Sequence, residues 1–233
     1  MVTTILITGA NKGIGFEAAR QLAAAGHTVY LGSRDLERGQ AAARTIGARP
    51  VQLDVTDDAS VQAAADTIAA DGGLDVLVNN AGIAPEWRTE GVVGAGELTA
   101  DLMAETFETN VFGTVRVLHA FLPLLLRSAA PVVVNVSSRL ASLAVVSAPD
   151  AAYPGVAYPA SKTAVNMLTV QYAKAFPRIR INAVEPGFTA TDLNRGAGRQ
   201  TVEQGAEIIV RMAQLGPDGP TGSYVEATGP LPW

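Results

Sequence analysis

Short apolar runs alternate with longer segments of helical period along the whole chain. The strand-like runs are "TTILIT", "TVYLGS", "RPVQLDV", "DVLVNN", "PVVVNVS", "IRINAVE" and "GSYVEA"; the segments 14–25, 37–45, 60–70, 100–127, 158–176 and 201–213 read as helices. Runs that are apolar at successive positions must be covered on both faces, and strict strand–helix alternation places such strands in a parallel sheet. The expectation is an α/β fold, with 1–233 as a single domain. The length, 233 residues, suits one domain of this kind. Hydrophobic residues make up 48% and charged residues only 17%, which supports a large filled core and argues against disorder.

Composition also removes several chemistries. There are no cysteines, so disulfides, thiolate metal sites and cysteine nucleophiles are excluded. The two histidines, His27 and His119, are far apart, and no metal site is expected. A net charge of −5 speaks against non-specific nucleic-acid binding. No apolar run approaches the roughly 20 residues that span a bilayer. The opening "MVTTILITGA" leads straight into a strand without a basic n-region, so no secretory signal is expected. A cytoplasmic protein acting on a small molecule is the expectation.

The first strand–helix turn, "ITGANKGIG", carries Gly9, Gly13 and Gly15, with Asn11, Lys12 and Ile14 between them. Glycines there permit a tight turn and let backbone approach a pyrophosphate seated on a helix N-terminus. The sheet then reads as a Rossmann-type, doubly wound one of about seven strands with helices on both faces. At the end of the second strand, where an NAD site has an acid for the ribose, this chain has Ser33 and Arg34. A hydroxyl and a guanidinium suit a 2′-phosphate, and Lys12 adds positive charge, so NADPH/NADP+ is expected over NADH.

In "AYPASKTAVNMLTVQYAKAF", Tyr158 and Lys162 stand four apart at the start of a helix, hence one above the other. A free tyrosine, with a pKa of about 10, is a poor base near neutrality. A nearby ammonium lowers such a pKa by roughly 1–3 units. Taken alone, the spacing suits a surface helix almost as well as a catalytic one. Loops at 83–99, 139–157 and 188–200 follow strands, sit where ligands bind in such sheets, and are expected to shape a substrate pocket. They hold few charges, which suits an uncharged ketone or aldehyde. Trp87, Leu140, Phe188 and Leu193 are the candidate pocket residues, and Trp233 could also close it.

"TGANKGIG", "NNAG" (79–82), Asn110, "NVSS" (135–138), "YPASK" and "PGFTATD" (186–192) occur in the order found in the short-chain dehydrogenase/reductase family. The chain resembles that family over its whole length, its carbonyl-reductase-like members in particular. The resemblance implies an NADPH-dependent oxidoreductase with a tetrad of Asn110, Ser138, Tyr158 and Lys162. Ser138 would polarise the substrate carbonyl, Tyr158 would donate the proton, and Asn110 would hold a water linking Lys162 to solvent. The resemblance further implies that Asp54 and Val55 contact adenine and that Asn80, Ala81 and Gly82 line the adenine ribose. Pro186, Gly187, Thr189 and Thr191 would cradle the nicotinamide. The same tetrad serves oxidation of an alcohol, steroid or polyol, and a catalytically silent nucleotide-sensing protein would have lost Tyr158 or Lys162. The spacing from Ser138 to Tyr158 is only slightly longer than the family's common one. Without a long insertion there, "VRVLHAFLPLLLR" and the 158–176 helix are free to pair, as a homodimer or homotetramer.

Overall fold

The computed structural model describes residues 2–233; Met1, included in the expected domain span, lies outside them. The elements run β1 (Thr4–Ile7), α1 (Gly13–Ala24), β2 (Thr28–Ser33), α2 (Leu36–Ile46), β3 (Arg49–Gln52), α3 (Asp58–Ala70) and β4 (Val76–Asn79). A hairpin of β5 (Trp87–Arg88) and β6 (Gly91–Val92) follows, then α4 (Ala100–Phe107), a π-helical turn (Glu108–Phe112) and α5 (Gly113–Leu125). The second half comprises β7 (Val132–Val136), a 3-10 turn (Arg139–Ala141), α6 (Leu143–Val146), α7 (Ala157–Ala175) and β8 (Arg180–Val184). It closes with a 3-10 turn (Asp192–Asn194), α8 (Val202–Ala213), β9 (Tyr224–Glu226) and β10 (Gly229–Pro230).

The main sheet has eight strands in the order β10-β9-β8-β7-β4-β1-β2-β3. Every neighbouring pair is parallel except β9 with β10. The seven parallel strands are the expected ones. The additional β10 has two residues, too few to leave a period in the sequence. Strand order reverses between β1 and β4, which opens a crevice at their carboxyl ends, where such sheets bind ligands.

Alternation along β1 shows how the core is split. Ile5 and Ile7 pack with Ala18 and Leu22 of α1 and Ile208, Ile209 and Met212 of α8, while Leu6 packs with Ile68 of α3 and Val117, Phe121 and Leu125 of α5. Two side-chain caps start α3 and α4: Asp57 accepts the N–H of Ala59 at 2.9 Å and Thr99 that of Leu102 at 3.2 Å.

Three segments differ from the sequence expectation. The helix expected over 100–127 is interrupted by the π-turn, because an extra residue is accommodated around Asn110. The 83–99 segment contains the β5–β6 hairpin, and 139–157 contains a 3-10 turn and α6, so neither is structureless. Most of the apolar surface expected to pair with a second copy is used internally: Val117, Leu118, Phe121, Leu124 and Leu125 are buried, while Phe112, Leu126 and Met167 stay exposed. Among the described residues, no helix is long and apolar enough to cross a membrane, and no three His, Asp or Glu side chains gather as a metal site.

Candidate active site

The glycine turn lies in the crevice. Gly9 has φ +61°, a left-handed conformation. A Cβ on Gly15 would meet the Asn80 amide nitrogen at 2.3 Å, so only glycine lets α1 approach β4 this closely. Asn80 Nδ2 donates to the carbonyls of Thr8 (2.8 Å) and Gly9 (3.2 Å), and Thr8 Oγ1 accepts the N–H groups of Asn80 (3.0 Å) and Ala81 (2.9 Å). Ile14 anchors the turn against the core, and Asn11 stays half-buried at its rim. The N-terminus of α1 has no capping side chain and no acid in its first turn, which leaves its N–H groups and dipole for an anion. Lys12 does not stand free: it pairs with Asp192 across the crevice at 2.7 Å, both side chains exposed, which makes the bond a weak one.

Ser33 and Arg34 separate. Ser33 is buried and its hydroxyl donates to the Asp35 carbonyl at 2.8 Å, so it is turned away from the part expected of it, binding a 2′-phosphate. Arg34 is exposed at the strand end. Asp54 accepts both the N–H (3.0 Å) and the hydroxyl (2.7 Å) of Thr56, and Val55 is buried against Gly113 of α5.

On α7, Lys162 Nζ lies 5.7 Å from the centre of the Tyr158 ring and donates to the Val136 carbonyl at 2.8 Å. Burial holds the Tyr158 phenol well above the ordinary tyrosine value, reinforced by the negative charges of Glu185 and Glu86; a hydrogen bond with Ser138 works the other way. The expected lowering by Lys162 is therefore not what this geometry produces, because desolvation outweighs an ammonium already bonded elsewhere. Burial also pulls the Lys162 pKa down to about 8. The neighbouring Ser137 is spent in the core on Asn166 Oδ1 at 2.6 Å, whereas Ser138 faces the phenol and receives the Leu140 N–H at 3.3 Å.

Asn110, in the π-turn, brackets Ile83: its Oδ1 accepts the Ile83 N–H at 2.8 Å and its Nδ2 donates to the Ile83 carbonyl at 2.9 Å. Nδ2 also reaches Ser161 Oγ at 3.0 Å. This side chain has no hydrogen bond to Lys162; it holds the strand end that carries Gly82, whose Cα side faces both Asn110 and Lys162.

Above Tyr158 three loops converge on Trp87. Its ring lies 6.0 Å from that of Tyr153 and 6.2 Å from that of Phe188, centre to centre. Arg195 crosses from the 188–200 loop to Thr89 Oγ1 at 3.1 Å. Pro186 and Gly187 turn the chain out of β8; Thr189 Oγ1 donates to the Gly187 carbonyl at 3.2 Å, and the Thr191 N–H donates to Asn194 Oδ1 at 3.2 Å. Leu140 and Leu193 are half-buried in the two 3-10 turns. Trp233 is not among the converging rings: it stacks on Tyr224 at 5.4 Å, and its carbonyl accepts the Ala144 N–H at 3.1 Å.

Residues 3–202 match the family described as short chain dehydrogenase. The chain belongs to the short-chain dehydrogenase/reductase family. It is thus an NAD(P)-dependent oxidoreductase of the C=O/CH–OH type. The salutaridine reductase of Papaver bracteatum is 33% identical, covering 96% of this chain and 94% of its own. The (+)-neomenthol dehydrogenase of Arabidopsis thaliana is 35% identical, covering 90% of each chain. The solved salutaridine reductase of Papaver somniferum superposes with a TM-score of 0.82 at 31% identity, covering 95% of this chain and 99% of that one. The alignment with the first of these runs over 291 positions against 233 residues here, so that member of the family has segments this chain lacks.

Within this family member, four side chains near the site left no signal in the sequence. Glu86 and Glu185 are buried carboxylates in segments that read as polar loop and strand end; Tyr153 and Arg195 bond across loops. Burial lifts Glu185 to about 7, partly offset by the N–H groups of Arg139 and Gly187. The dinucleotide required by a short-chain dehydrogenase/reductase fits the residues present: an uncapped α1 N-terminus for the pyrophosphate and an exposed guanidinium, Arg34, at the end of β2.

Proposed function

We propose that the protein is an NADPH-dependent carbonyl reductase that converts a small, uncharged ketone or aldehyde to an alcohol. The observation that carries this reading is the half-buried Tyr158 phenol set beside Ser138, with Lys162 Nζ 5.7 Å from its ring centre. Bound NADPH supplies the hydride. Ser138 donates a hydrogen bond to the substrate carbonyl and orients it, and Tyr158 gives its proton to the oxygen as general acid. The Lys162 ammonium, below its pKa of about 8, offsets the charge left on the phenolate. The glycine turn (Gly9 to Gly15) holds the pyrophosphate, with Asn80, Ala81, Gly82, Asp54 and Val55 lining the adenosine half and Pro186, Gly187, Thr189 and Thr191 the nicotinamide half. Trp87, Tyr153 and Phe188 form the apolar wall of the substrate pocket, Leu140 and Leu193 its edges. The names of the relatives, a reductase of salutaridine and a dehydrogenase of neomenthol, support a ring-sized ketone or alcohol as the substrate class.

Turnover with NADPH against a panel of ketones and aldehydes tests the reaction. Tyr158→Phe should lower kcat by at least about a thousandfold while NADPH still binds; an active Phe variant refutes the tetrad. NADPH preference rests on Arg34, with Ser33 shaping the turn. Replacing Ser33 with Asp and Arg34 with Ile should move the kcat/KM preference toward NADH, and unchanged discrimination refutes it. The exposed Phe112, Leu126 and Met167 make a homodimer the assembly to test by sedimentation.

A further inference from the structure

Glu86 is fully buried, yet it lies in a glycine-rich loop outside the tetrad. One carboxylate oxygen accepts the backbone N–H of Tyr158 at 2.9 Å, and the other accepts the Tyr153 hydroxyl at 2.6 Å. No side chain of α7's own flanking residues caps that helix, so Glu86 supplies the cap from a distant segment and places a negative charge on the positive end of the helix dipole. The chain makes room for it: a Cβ on Gly155 would lie 2.2 Å from Glu86 Oε1. The next residue, Trp87, stacks on the same Tyr153. A buried carboxylate is costly unless donors meet its lone pairs, so an arrangement with so few partners is a poor way merely to end a helix. A serine or threonine at the usual position would serve for capping alone.

We propose that Glu86 is a positioning residue for Tyr158, one that fixes the first turn of α7 through the Tyr158 backbone N–H and ties to it the Tyr153 segment of the substrate loop. This rests on the assignment of Tyr158 as general acid. The groups that act on that phenol are Ser138 at the start of the 3-10 turn, Lys162 of α7, Glu185 just past β8, and Tyr153 and Glu86 from the loops. Among these side chains, that of Glu86 is bonded to the tyrosine's own backbone.

Reductive kcat and KM are measured for wild type, Glu86→Leu, Glu86→Gln and Tyr153→Phe, with NADPH binding followed separately by its fluorescence. Glu86→Leu removes the acceptor for the Tyr158 N–H and should lower kcat by about tenfold or more, whereas Glu86→Gln keeps an acceptor there and should recover most of that loss, NADPH binding being unchanged in both. Tyr153→Phe cuts the loop tie and should raise KM severalfold, more than it lowers kcat. Equal kcat in Glu86→Leu and wild type, or Tyr153→Phe indistinguishable from wild type, overturns the proposal. Should Glu86→Leu not fold, the KM effect of Tyr153→Phe decides. Loss of turnover in Tyr158→Phe is read independently, so failure here leaves the catalytic assignment standing.

Discussion

A carboxylate inside a protein is stable in its charged form only to the extent that donors replace water. Glu185 has two backbone N–H groups and an apolar surround, and burial prevails, raising its pKa from 4.5 to about 7. The folded state therefore holds a proton that the unfolded state releases between those two values, and stability falls as pH rises through that window. Glu185→Gln lacks this penalty. Its melting temperature relative to wild type should climb from about pH 4.5 to about pH 7 and then level off, a change worth up to about 3 kcal/mol; a constant difference across that range contradicts the assignment. Residues of this kind were not legible in the sequence. Tyr158 and Lys162 announce themselves by a helical spacing and Gly9 to Gly15 by a turn, both local signals. Glu86 and Glu185 acquire their character from segments far along the chain, and a glutamate in "APEWRTEG" reads as solvated loop. Ser33 shows the converse, a local reading of a hydroxyl that the fold turns inward.

At the level of elements, helices and strands were legible wherever period and length agreed, and illegible where a segment was short or irregular. The two-residue β10 and the β5–β6 hairpin fall below any period. The π-turn is hidden for another reason: its residues are ordinary helix formers, and only the need to bring Asn110 to Ile83 selects the wider turn. Removing one residue there restores a regular helix but turns Asn110 by roughly 100° relative to α5. Deleting Thr109 should thus keep the circular-dichroism spectrum while lowering kcat/KM by on the order of a hundredfold, since small misplacements of a reacting assembly are that costly. Retained turnover would reduce the π-turn to an accident of packing.

For the molecule as a whole, the order of strands determines which parts depend on one another. The glycine turn at one end of the chain is closed by Asn80 from β4, and α1 is roofed by α8, which lies nearly two hundred residues further along, near Asp192, whose contact with Lys12 spans 180 positions. A chain truncated before residue 202 should keep β1 to β8 in sequence yet lose dinucleotide binding and remain soluble poorly, as judged by fluorescence and sedimentation; a well-behaved, cofactor-binding fragment would contradict the dependence on α8. The apolar face of α1, carrying Ala18 and Leu22, rests on Ile5 and Ile7 of β1 but is closed over only by Ile208, Ile209 and Met212 of α8. On the ribosome, then, one flank of α1 stays uncovered until α8 has been made, a greasy strip that is a natural handhold for chaperones.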